Sequence, residues 1–475
     1  MMEQLTKIVS EINGFLWGMY CLIPLLCGVG IYFTLKLDFI QIRRFGLAVK
    51  STFGGLTLHG ERAGKQGMSS FQSLATAIAA QVGTGNLAGA ATAIAMGGPG
   101  AIFWMWIAAF FGMATIFAEA VLAQTYKTTD DQGHVTGGPA YYISKGLGSK
   151  KLAAFFSISI IIALGFIGNM VQSNSIADAF QTAFSLPPLL IGVIISALAA
   201  FVFFGGMGRI AAFTEKVVPI MAALYLLGGL IVLLANASHI IPALKMVFVG
   251  AFDPAAATGG IIGAGVKEAM RYGVARGLFS NESGLGSAPI VASAASTRNP
   301  ARQALVSMTG TFWDTVVICA LTGIVLVSTM LANPDIASDI LANPTVYSGA
   351  MLASEAFSKI PYIGTPILVL GMVAFSYTTI LGWSYYGNRC ITYLFGRYAI
   401  RPYQVVYVAV AFLGAIGVGD IVWTISDIGN ALMAIPNIVV VLLLSGMIAR
   451  ETRHYVYDGN LDEPDDAPIP QLEGK

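Results

Sequence analysis

Two stretches of the sequence combine glycine with polar side chains inside otherwise apolar runs, and the chemistry they offer is that of exposed backbone. They read Gln81-Val82-Gly83-Thr84-Gly85-Asn86-Leu87-Ala88-Gly89 and Phe279-Ser280-Asn281-Glu282-Ser283-Gly284-Leu285-Gly286-Ser287-Ala288-Pro289. Glycine costs about 1 kcal/mol relative to alanine inside a helix, so these clusters favour unwinding. An unwound helix presents free N–H groups that suit a carboxylate, and free carbonyl oxygens that suit an ammonium group or a small hard cation. One site of this kind can hold both ends of a zwitterion without a charged side chain.

Three of the polar side chains within these stretches are candidates for a site role. Asn86 and Asn281 serve either as ligands or as caps that satisfy backbone groups of the interrupted helices. Glu282 is the only carboxylate in the two stretches. An ionisable residue is costly to place inside a membrane, so Glu282 is a candidate functional residue. Because an unpaired buried charge is costly, Glu282 is expected to contact a substrate amine, a coupling cation or Arg276, or to be paired structurally.

Further polar residues fall in other apolar runs. Thr378 and Thr379 are adjacent, and their oxygens suit a hard cation, although hydroxyls in membrane helices also bond to their own backbone. Gln172 is either a ligand or the partner of a neighbouring helix, and Trp383 is either a pocket lid or a core residue. Three acids are expected only to bond to neighbouring helices: Glu119, Asp178 and Asp314.

The composition predicts a membrane protein. Of 475 residues, 56% are apolar and 11% are charged, and the mean hydropathy is +0.73, whereas soluble proteins carry about 25% charged residues. The net charge of +1 argues against a nucleic-acid partner. The cysteines have no metal-ligand spacing and lie in or beside apolar runs, which predicts buried thiols: Cys21, Cys27, Cys319 and Cys390.

Eleven apolar segments are long enough to cross a bilayer, which requires about 20 residues of helix. The first is too long for a cleaved signal peptide. The seventh is too long for one straight span and includes the second glycine-rich stretch, so it is interpreted as a broken helix. The predicted spans are residues 14–36, 70–96, 99–126, 152–183, 188–205, 214–237, 256–297, 302–331, 364–388, 403–420 and 425–449.

The distribution of lysine and arginine predicts a multi-pass protein of the plasma (inner) membrane with its N-terminus outside and its C-terminus in the cytoplasm. In this orientation only Lys7, Lys245 and Lys359 lie outside, apart from the basic residues of the seventh span. The segment 37–68 mixes apolar and basic residues and is expected to form a cytoplasmic interfacial helix. The acidic, proline-containing tail 451–475 is expected to be disordered.

The two glycine-rich stretches occupy equivalent places in the chain. Residues 1–36 form an extra N-terminal helix, and the remaining ten spans divide into halves of five, 69–237 and 238–450, each with the interruption in its first span. Two five-span halves necessarily have opposite topology. Interrupted spans at matching positions of inverted halves indicate the site of a secondary transporter. The alternative is that the small residues only allow helices to pack closely.

The same two stretches resemble the hallmark motifs of the alanine or glycine:cation symporter family, the sodium:alanine symporters. Gly97-Gly98-Pro99-Gly100-Ala101, Gly137-Gly138-Pro139-Ala140-Tyr141-Tyr142 and Ile380-Leu381-Gly382-Trp383-Ser384-Tyr385-Tyr386-Gly387 are similar as well, so the resemblance covers nearly the whole chain. Ser283 stands where many relatives carry alanine. The resemblance implies an all-α, leucine-transporter-like fold with a 5+5 inverted repeat. It also implies uptake of small neutral amino acids, alanine or glycine, coupled to Na+ and without an organic cofactor.

The resemblance further implies a set of site residues. The carboxylate is expected at the amides of the first stretch, the amino group at the carbonyl end near Phe279 to Asn281, and Trp383 over the side-chain pocket. The expected substrate-binding residues are Gly83, Thr84, Gly85, Asn86, Gln172, Phe279, Asn281, Glu282, Gly284 and Trp383, and the expected Na+ ligands are Ala79, Val82, Thr378 and Thr379.

The residues alone leave other functions open. Proton coupling, with Glu282 or Glu119 as carrier, is the nearest alternative. A passive channel fits matched mid-span interruptions less well than an occludable site does, and the sequence has no phosphate-binding loop for a nucleotide. Preference between alanine and glycine and the oligomeric state are also open. An intramembrane enzyme is disfavoured because the histidines fall in loops or in the tail: His59, His134, His239 and His454.

Overall fold

The structure is a computed structural model that describes residues 2–18, 20–54, 67–130, 133–253, 265–343, 350–417 and 421–465. Within these ranges the chain is helical apart from connecting segments and one two-stranded hairpin. Seven helices in the described part of the chain are long and apolar enough to cross a membrane. The predicted all-helical membrane architecture is therefore supported, whereas the total of eleven spans stays a prediction.

The first part of the chain contains thirteen helices in the described ranges, and a π-helical segment at Gly85–Gly89 precedes α6 while another at Ile161–Gly168 joins α9 to α10. Strands β1 (Thr128–Thr129) and β2 (Val135–Thr136) pair antiparallel. The helices are α1 (Met2–Leu16), α2 (Leu22–Lys36), α3 (Ile40–Arg43), α4 (Phe45–Phe53), α5 (Ser70–Gln81), α6 (Ala90–Gly97), α7 (Ala101–Thr125), α8 (Pro139–Gly146), α9 (Lys150–Ile160), α10 (Asn169–Phe184), α11 (Pro188–Phe203), α12 (Met207–Ala235) and α13 (Ala237–Gly250).

The second part continues with α14 and includes three short irregular helices: π-helical Phe312–Cys319, 3-10 Arg397–Ala399 and π-helical Arg453–Tyr457. The α-helices are α14 (Val266–Asn281), α15 (Ala288–Ala292), α16 (Pro300–Thr311), α17 (Ala320–Ala332), α18 (Pro334–Ala342), α19 (Ala350–Ser358), α20 (Gly364–Phe395), α21 (Ile400–Ile416), α22 (Ile421–Leu443) and α23 (Ser445–Thr452).

Side-chain caps fix the starts of two helices that matter below. At α5, Ser69 Oγ accepts a hydrogen bond from the N–H of Gln72 at 3.0 Å, and Gln72 Oε1 accepts one from the N–H of Ser69 at 3.1 Å, which is a capping box. At α16, Asn299 Oδ1 accepts a bond from the N–H of Arg302 at 3.0 Å, and Pro300 occupies the first helical position.

The first predicted span was wrong in its extent. Residues 14–36 do not form one helix, because the chain turns between α1 and α2 around Trp17, whose indole Nε1 donates a hydrogen bond to the carbonyl oxygen of Asp427 at 2.8 Å. Helix α13 was not predicted at all. Residues 55–66 of the interfacial segment and 256–264 of the seventh span lie outside the described residues, and the boundaries of the two repeats stay predictions.

The described part of the C-terminal tail is folded, contrary to the expected disorder. Residues up to Thr452 extend α23, and Arg453–Tyr457 form a π-helical turn. The hydroxyl of Tyr457 donates a hydrogen bond to the carbonyl oxygen of Leu37 at 2.7 Å, which fixes the tail to the start of the interfacial segment. Tail residues 466–475 lie outside the described residues.

Helix α7 lies at the centre of the fold. It packs against α2, α14 and α16, and most of its side chains from Ala108 to Gln124 are buried. Because small residues such as Ala109, Gly112 and Ala114 occupy these buried positions, the interrupted helices can approach α7 closely. The two glycine-rich stretches therefore lie in the packed interior of the molecule.

Candidate functional site

The first glycine-rich stretch interrupts its helix, as predicted. Helix α5 ends at Gln81, Val82 is extended (φ −78°, ψ 93°), and the π-helical segment starts at Gly85. The side chain of Asn86 closes the gap, because its Oδ1 accepts a hydrogen bond from the N–H of Gly83 at 2.9 Å. Asn86 therefore has the capping role that the sequence left open.

The second stretch is interrupted as well. Helix α14 ends at Asn281, the chain passes through positive φ at Glu282 (59°), Gly284 (82°) and Gly286 (83°), and helix resumes at Ala288. Glycine adopts this left-handed conformation without the steric cost that a side chain imposes. For the described residues, the predicted break in the seventh span is confirmed.

The two interruptions lie against each other. Gln81 Nε2 donates a hydrogen bond to the carbonyl oxygen of Asn281 at 2.9 Å, which joins the end of α5 to the end of α14. A Cβ atom added at Gly85 would lie 3.3 Å from the Cα of Ser280 and 3.4 Å from the ring of Phe279, so glycine at position 85 leaves room for the close approach of the two backbones. The expected juxtaposition of the two breaks is therefore present.

A carboxylate from a third element joins both interruptions. Asp314 Oδ1 accepts hydrogen bonds from Asn86 Nδ2 at 2.7 Å and from Ser280 Oγ at 3.2 Å, and its Oδ2 accepts one from Thr315 Oγ1 at 2.7 Å. Asn281 Nδ2 also donates to Thr315 Oγ1, at 3.1 Å. Asp314 is completely buried, and the structure forms no ion pair to it within the described residues.

Part of the predicted cation site is assembled. The hydroxyl of Thr379 on α20 donates to the carbonyl oxygens of Ala79 at 3.0 Å and Val82 at 3.1 Å, at the end of α5. These three buried oxygens, at a helix C-terminus with its partial negative charge, have the chemistry that a hard cation needs. The hydroxyl of Thr378 instead donates to the carbonyls of Ala374 (2.9 Å) and Phe375 (3.0 Å) of its own helix, so the structure does not bring Thr378 to this oxygen set.

Gln172 of α10 reaches the first interruption. Its Oε1 accepts a hydrogen bond from the N–H of Thr84 at 3.2 Å. A Cβ atom at Gly83 would lie 2.5 Å from Thr379 Oγ1 and 3.1 Å from Gln172 Oε1, so only glycine fits there. The N–H of Asn86 bonds to the carbonyl of Gly83 at 3.2 Å, so two of the amides expected to receive a carboxylate are already engaged. Within the described residues, the buried hydroxyl of Thr84 has no hydrogen-bond partner.

Glu282 is paired with donors from α20 and from its own loop. Its carboxylate accepts hydrogen bonds from Trp383 Nε1 at 2.8 Å, from Tyr386 OH at 3.1 Å and from Ser287 Oγ at 2.7 Å. The hypothesis that it contacts Arg276 was wrong. Three donors satisfy this buried carboxylate, which favours the structural role over direct contact with a substrate.

The amide of Gly284 is also engaged within the protein. Its N–H donates to Glu119 Oε2 at 3.2 Å, and the N–H of Gly286 donates to Glu119 Oε1 at 3.1 Å, so the carboxylate of α7 lies in a nest of backbone amides. Asn437 Nδ2 donates to the same carboxylate and to the carbonyl of Gly284. The structure therefore separates Gly284 from the junction at Gly85 and gives it a partner on α7.

Arg276 pairs with an aspartate on α22. Its guanidinium makes a two-pronged contact with Asp427, at 2.8 Å and 3.3 Å, and lies over the ring of Phe279 with the carbon atom 5.7 Å from the ring centroid. Both partners are largely buried. The pair connects α14 to α22 immediately beside the second interruption.

Two cavities in the described part of the molecule differ in their lining residues. The Arg276 cavity, of about 730 Å³, is lined by Gly85, Phe279, Arg276 and Asp427 among others. The Arg389 cavity, of about 950 Å³, is lined by Arg389 among others, and no predicted substrate-binding residue lines it. The junction is therefore reached from the side of Arg276.

The sequence did not identify Asp314, Glu119 or Asp427 as partners of the interruptions. Each is a single acid in an apolar run, and no spacing rule connects it to Asn86, Gly284 or Arg276. Burying a carboxylate in a membrane span is costly, so the sequence indicates that each of these acids needs a partner. It does not indicate which residue that partner is.

A family model described as the sodium:alanine symporter family matches residues 2–466. The chain belongs to this family. Among curated relatives, the sodium/alanine symporter AgcS of Methanococcus maripaludis is 46% identical over 454 residues, covering 94% of this chain and 97% of the relative. The "probable sodium/glutamine symporter GlnT" of Bacillus subtilis is 36% identical and covers 96% of this chain and 91% of the relative.

A solved structure gives independent support for the fold of this sodium:alanine symporter family member. The crystal structure of MhsT in complex with L-phenylalanine matches with a TM-score of 0.58 at 14% identity, over 85% of this chain and 94% of that chain. At this identity the match shows the fold alone, which is that of leucine-transporter-like proteins. Family membership confirms the predicted class, a secondary transporter that couples amino-acid symport to Na+.

The contact of α20 with α5 generates a prediction for Gly382. An added Cβ would lie 2.8 Å from the Cα of Ala80, a backbone atom that cannot turn away, so Gly382→Ala should push α20 and Thr379 away from α5. Overpacking costs about 1–3 kcal/mol. We expect lower thermal stability in detergent and weaker Na+ activation of transport. Gly28→Ala, with no atom within 4 Å of the added Cβ, is the control, and equal behaviour of the two variants would contradict the prediction.

Proposed function

We propose that this chain takes up alanine or another small neutral amino acid with Na+ by alternating access, and that both are bound at the junction of the two interrupted helices. The observation that carries the proposal is the contact of the two breaks, through Gln81 and Asn281 and through Gly85 and Ser280, beside the oxygen set of Thr379. Irregular backbone at membrane depth persists only where it is buried in protein or lines a cavity. Here it does both.

The substrate carboxylate is assigned to the first interruption. Gly85 lines the Arg276 cavity, and the neighbouring N–H of Thr84 is held by the neutral side chain of Gln172 at 3.2 Å. A carboxylate is a stronger acceptor than an amide oxygen, so it can replace Gln172 Oε1 there while the amide group turns to donate. The buried, unpartnered hydroxyl of Thr84 offers a further donor.

The substrate amino group is assigned to the carbonyl end of α14. Carbonyl groups at a helix C-terminus carry partial negative charge, and Phe279 at this end lines the same cavity as Gly85. The nearby carboxylate of Asp314 adds a full negative charge without a cationic protein partner in the described residues. A small side chain fits because Phe279 and Ser280 lie against Gly85. Trp383 as a lid over the side chain stays a prediction.

Na+ is assigned to the carbonyl oxygens of Ala79 and Val82 and the hydroxyl of Thr379. In the present structure the hydroxyl lies within hydrogen-bond distance of both carbonyl oxygens, to which it can donate its single hydrogen. With a cation between them, the hydroxyl turns and offers its lone pairs. The ion then connects α5 to α20, so its binding favours the arrangement in which these helices are close. A ligand shifts an equilibrium only through such differential contacts.

The orientation follows from the charge distribution. We infer that the N-terminus and the Arg276 cavity face outside, and that the Arg389 cavity and the C-terminus face the cytoplasm, because the loops predicted for the cytoplasmic side carry most of the lysine and arginine residues. The ion pair of Arg276 and Asp427 then lies between the outside and the junction, where it can close over a bound substrate.

Uptake into proteoliposomes tests the function. The purified chain should accumulate labelled alanine or glycine when Na+ is high outside, and should not when K+ replaces Na+ on both sides. A panel that includes glutamine separates small substrates from larger ones. Equal accumulation with and without a Na+ gradient would contradict sodium coupling.

The adjacent threonines give a matched pair of variants. Thr379→Val removes one cation ligand, whereas Thr378→Val removes a hydroxyl that, among the described residues, bonds only to its own helix and to Met221. Losing one charge-assisted contact costs about 1.5–3 kcal/mol, so we expect Thr379→Val to raise the half-saturating Na+ concentration about tenfold or more, and Thr378→Val to leave it nearly unchanged. Equal Na+ activation in both variants would remove the proposed site.

Asp314 distinguishes cation coupling from proton coupling, the second candidate. Proton coupling is favoured by one observation: Asp314, Glu119 and Glu282 are buried carboxylates without an ion-pair partner in the described part of the chain. Asp314→Asn mimics the protonated acid while keeping its size. If the charge of Asp314 balances Na+ or the amine, this variant should lose alanine binding about tenfold or more. Na+-independent uptake by the wild type that is driven by a pH gradient and lost in Asp314→Asn would instead support a proton carried by Asp314.

A further inference from the structure

The segment that follows the last helical turn packs against two arginines, Arg298 and Arg302. Residues 458–465, here called the tail strap, leave the π-helical Arg453–Tyr457 and extend to the loop between α15 and α16. This link loop, residues 293–299, follows the second interrupted helix. The strap and the loop are distant in sequence, so their contact has to be specified by particular groups.

Three residues at the end of the link loop and the start of α16 hold the strap. Arg302 Nη1 binds Asp462 Oδ1 at 2.7 Å, and Arg298 Nη1 donates to the carbonyl oxygen of Asp462 at 3.2 Å. Asn299 Nδ2 donates to the carbonyl oxygens of Leu461 at 2.7 Å and Glu463 at 3.0 Å. The contact therefore combines two ion pairs, from Arg302 and at 3.8 Å from Arg298 to Asp462, with several bonds to the strap backbone that fix its path.

The same link loop closes this end of both interrupted helices. Met68, just before α5, donates its N–H to the carbonyl of Ala294 at 2.9 Å and accepts a bond from the N–H of Ser296 at 2.8 Å. From α7, Gln124 Nε2 donates to the carbonyl of Ala295 at 3.0 Å. The start of the first broken helix and the end of the second are thus tied together through the loop that the strap covers.

We propose that the tail strap is a latch that holds the cytoplasmic side closed, and that it must release before the junction opens to the Arg389 cavity. The inference rests on the proposed alternating access, because opening on that side requires α5 and α15 to separate and so to break the bonds of Met68 to the link loop. A strap bound to Arg298, Asn299 and Arg302 stabilises the closed arrangement, in which the bonds of Met68 to the link loop are intact. The latch therefore limits the rate of release rather than the affinity for substrate.

The ion pair makes the latch sensitive to salt. Asp462 is 83% exposed and Arg302 is 35% exposed, so ions in the cytoplasm screen their attraction. Raising ionic strength inside vesicles with a K+ salt should loosen the strap and speed Na+-driven uptake, while the concentration of alanine that half-saturates transport should not change.

Two variants and one matched control test the latch in the full-length protein. Asp462→Asn removes the ion pairs to both Arg298 and Arg302. Asn299→Asp keeps an oxygen that caps α16 but loses the N–H groups that hold Leu461 and Glu463. Asp458→Asn removes a neighbouring exposed acid for which the structure shows no ion pair among the described residues. Exposed ion pairs of this kind change equilibria about two- to fivefold.

We expect both latch variants to exchange backbone hydrogen faster than the wild type in residues 293–299 and at Met68, and to transport alanine about two- to fivefold faster with little response to internal salt. The control should match the wild type. Wild-type exchange, uptake rate and salt response in both latch variants would overturn the latch. Because hydrogen exchange needs no transport, faster exchange without any Na+-driven uptake in the wild type would contradict the proposed function instead and leave the strap contact established.

Discussion

The account depends on one constraint: peptide groups at the ends of broken helices need partners, and in this chain the two breaks provide them for each other. Each interruption leaves N–H and carbonyl groups that water cannot reach in a membrane. The bond from Gln81 to the carbonyl of Asn281, and the close approach of Gly85 to Ser280, place those groups in one buried volume. Backbone N–H and carbonyl groups whose hydrogen bonds remain incomplete in this volume are available to a ligand.

Both backbone groups and buried carboxylates contribute to the electrostatics of the site. Three buried acids surround the interruptions, and each accepts hydrogen bonds from a different side: Glu119 from the amides of Gly284 and Gly286, Glu282 from Trp383 and Tyr386, and Asp314 from both breaks. The first two hold the second break in shape. Asp314 lies where the breaks meet, so its charge is the one that a bound cation or ammonium group is placed to balance.

The sequence predicted the site better where its residues act through the backbone than where they act through side chains. Glycine clusters in apolar runs have a direct conformational consequence, so the two breaks were anticipated from the residues, whereas the pairing of Thr379 with Ala79 and Val82 was implied by the family resemblance. The choice between Thr378 and Thr379 was not, because helix rotation decides it. The partners of Glu282 and Arg276 depend on which helices touch, and no local pattern contains that information.

The predicted extent of the first span and the predicted disorder of the tail were wrong for the same physical reason. The first span and the tail were assigned from composition, yet the bond of Trp17 to Asp427 turns the chain, and the hydrogen bonds of Asn299 and Arg302 order a stretch whose acidity suggested disorder. Tertiary hydrogen bonds override local preference at these positions, as they do for helix propensity in general.

The central claim is tested most directly by an experimental structure of the protein loaded with alanine and Na+. The account predicts density for the amino acid between Gly85 and the end of α14, with its carboxylate toward the first break, and an ion in contact with Thr379 Oγ1 and the carbonyl oxygens of Ala79 and Val82. A continuous helix through either glycine-rich stretch, or an amino acid bound away from their junction, would contradict it.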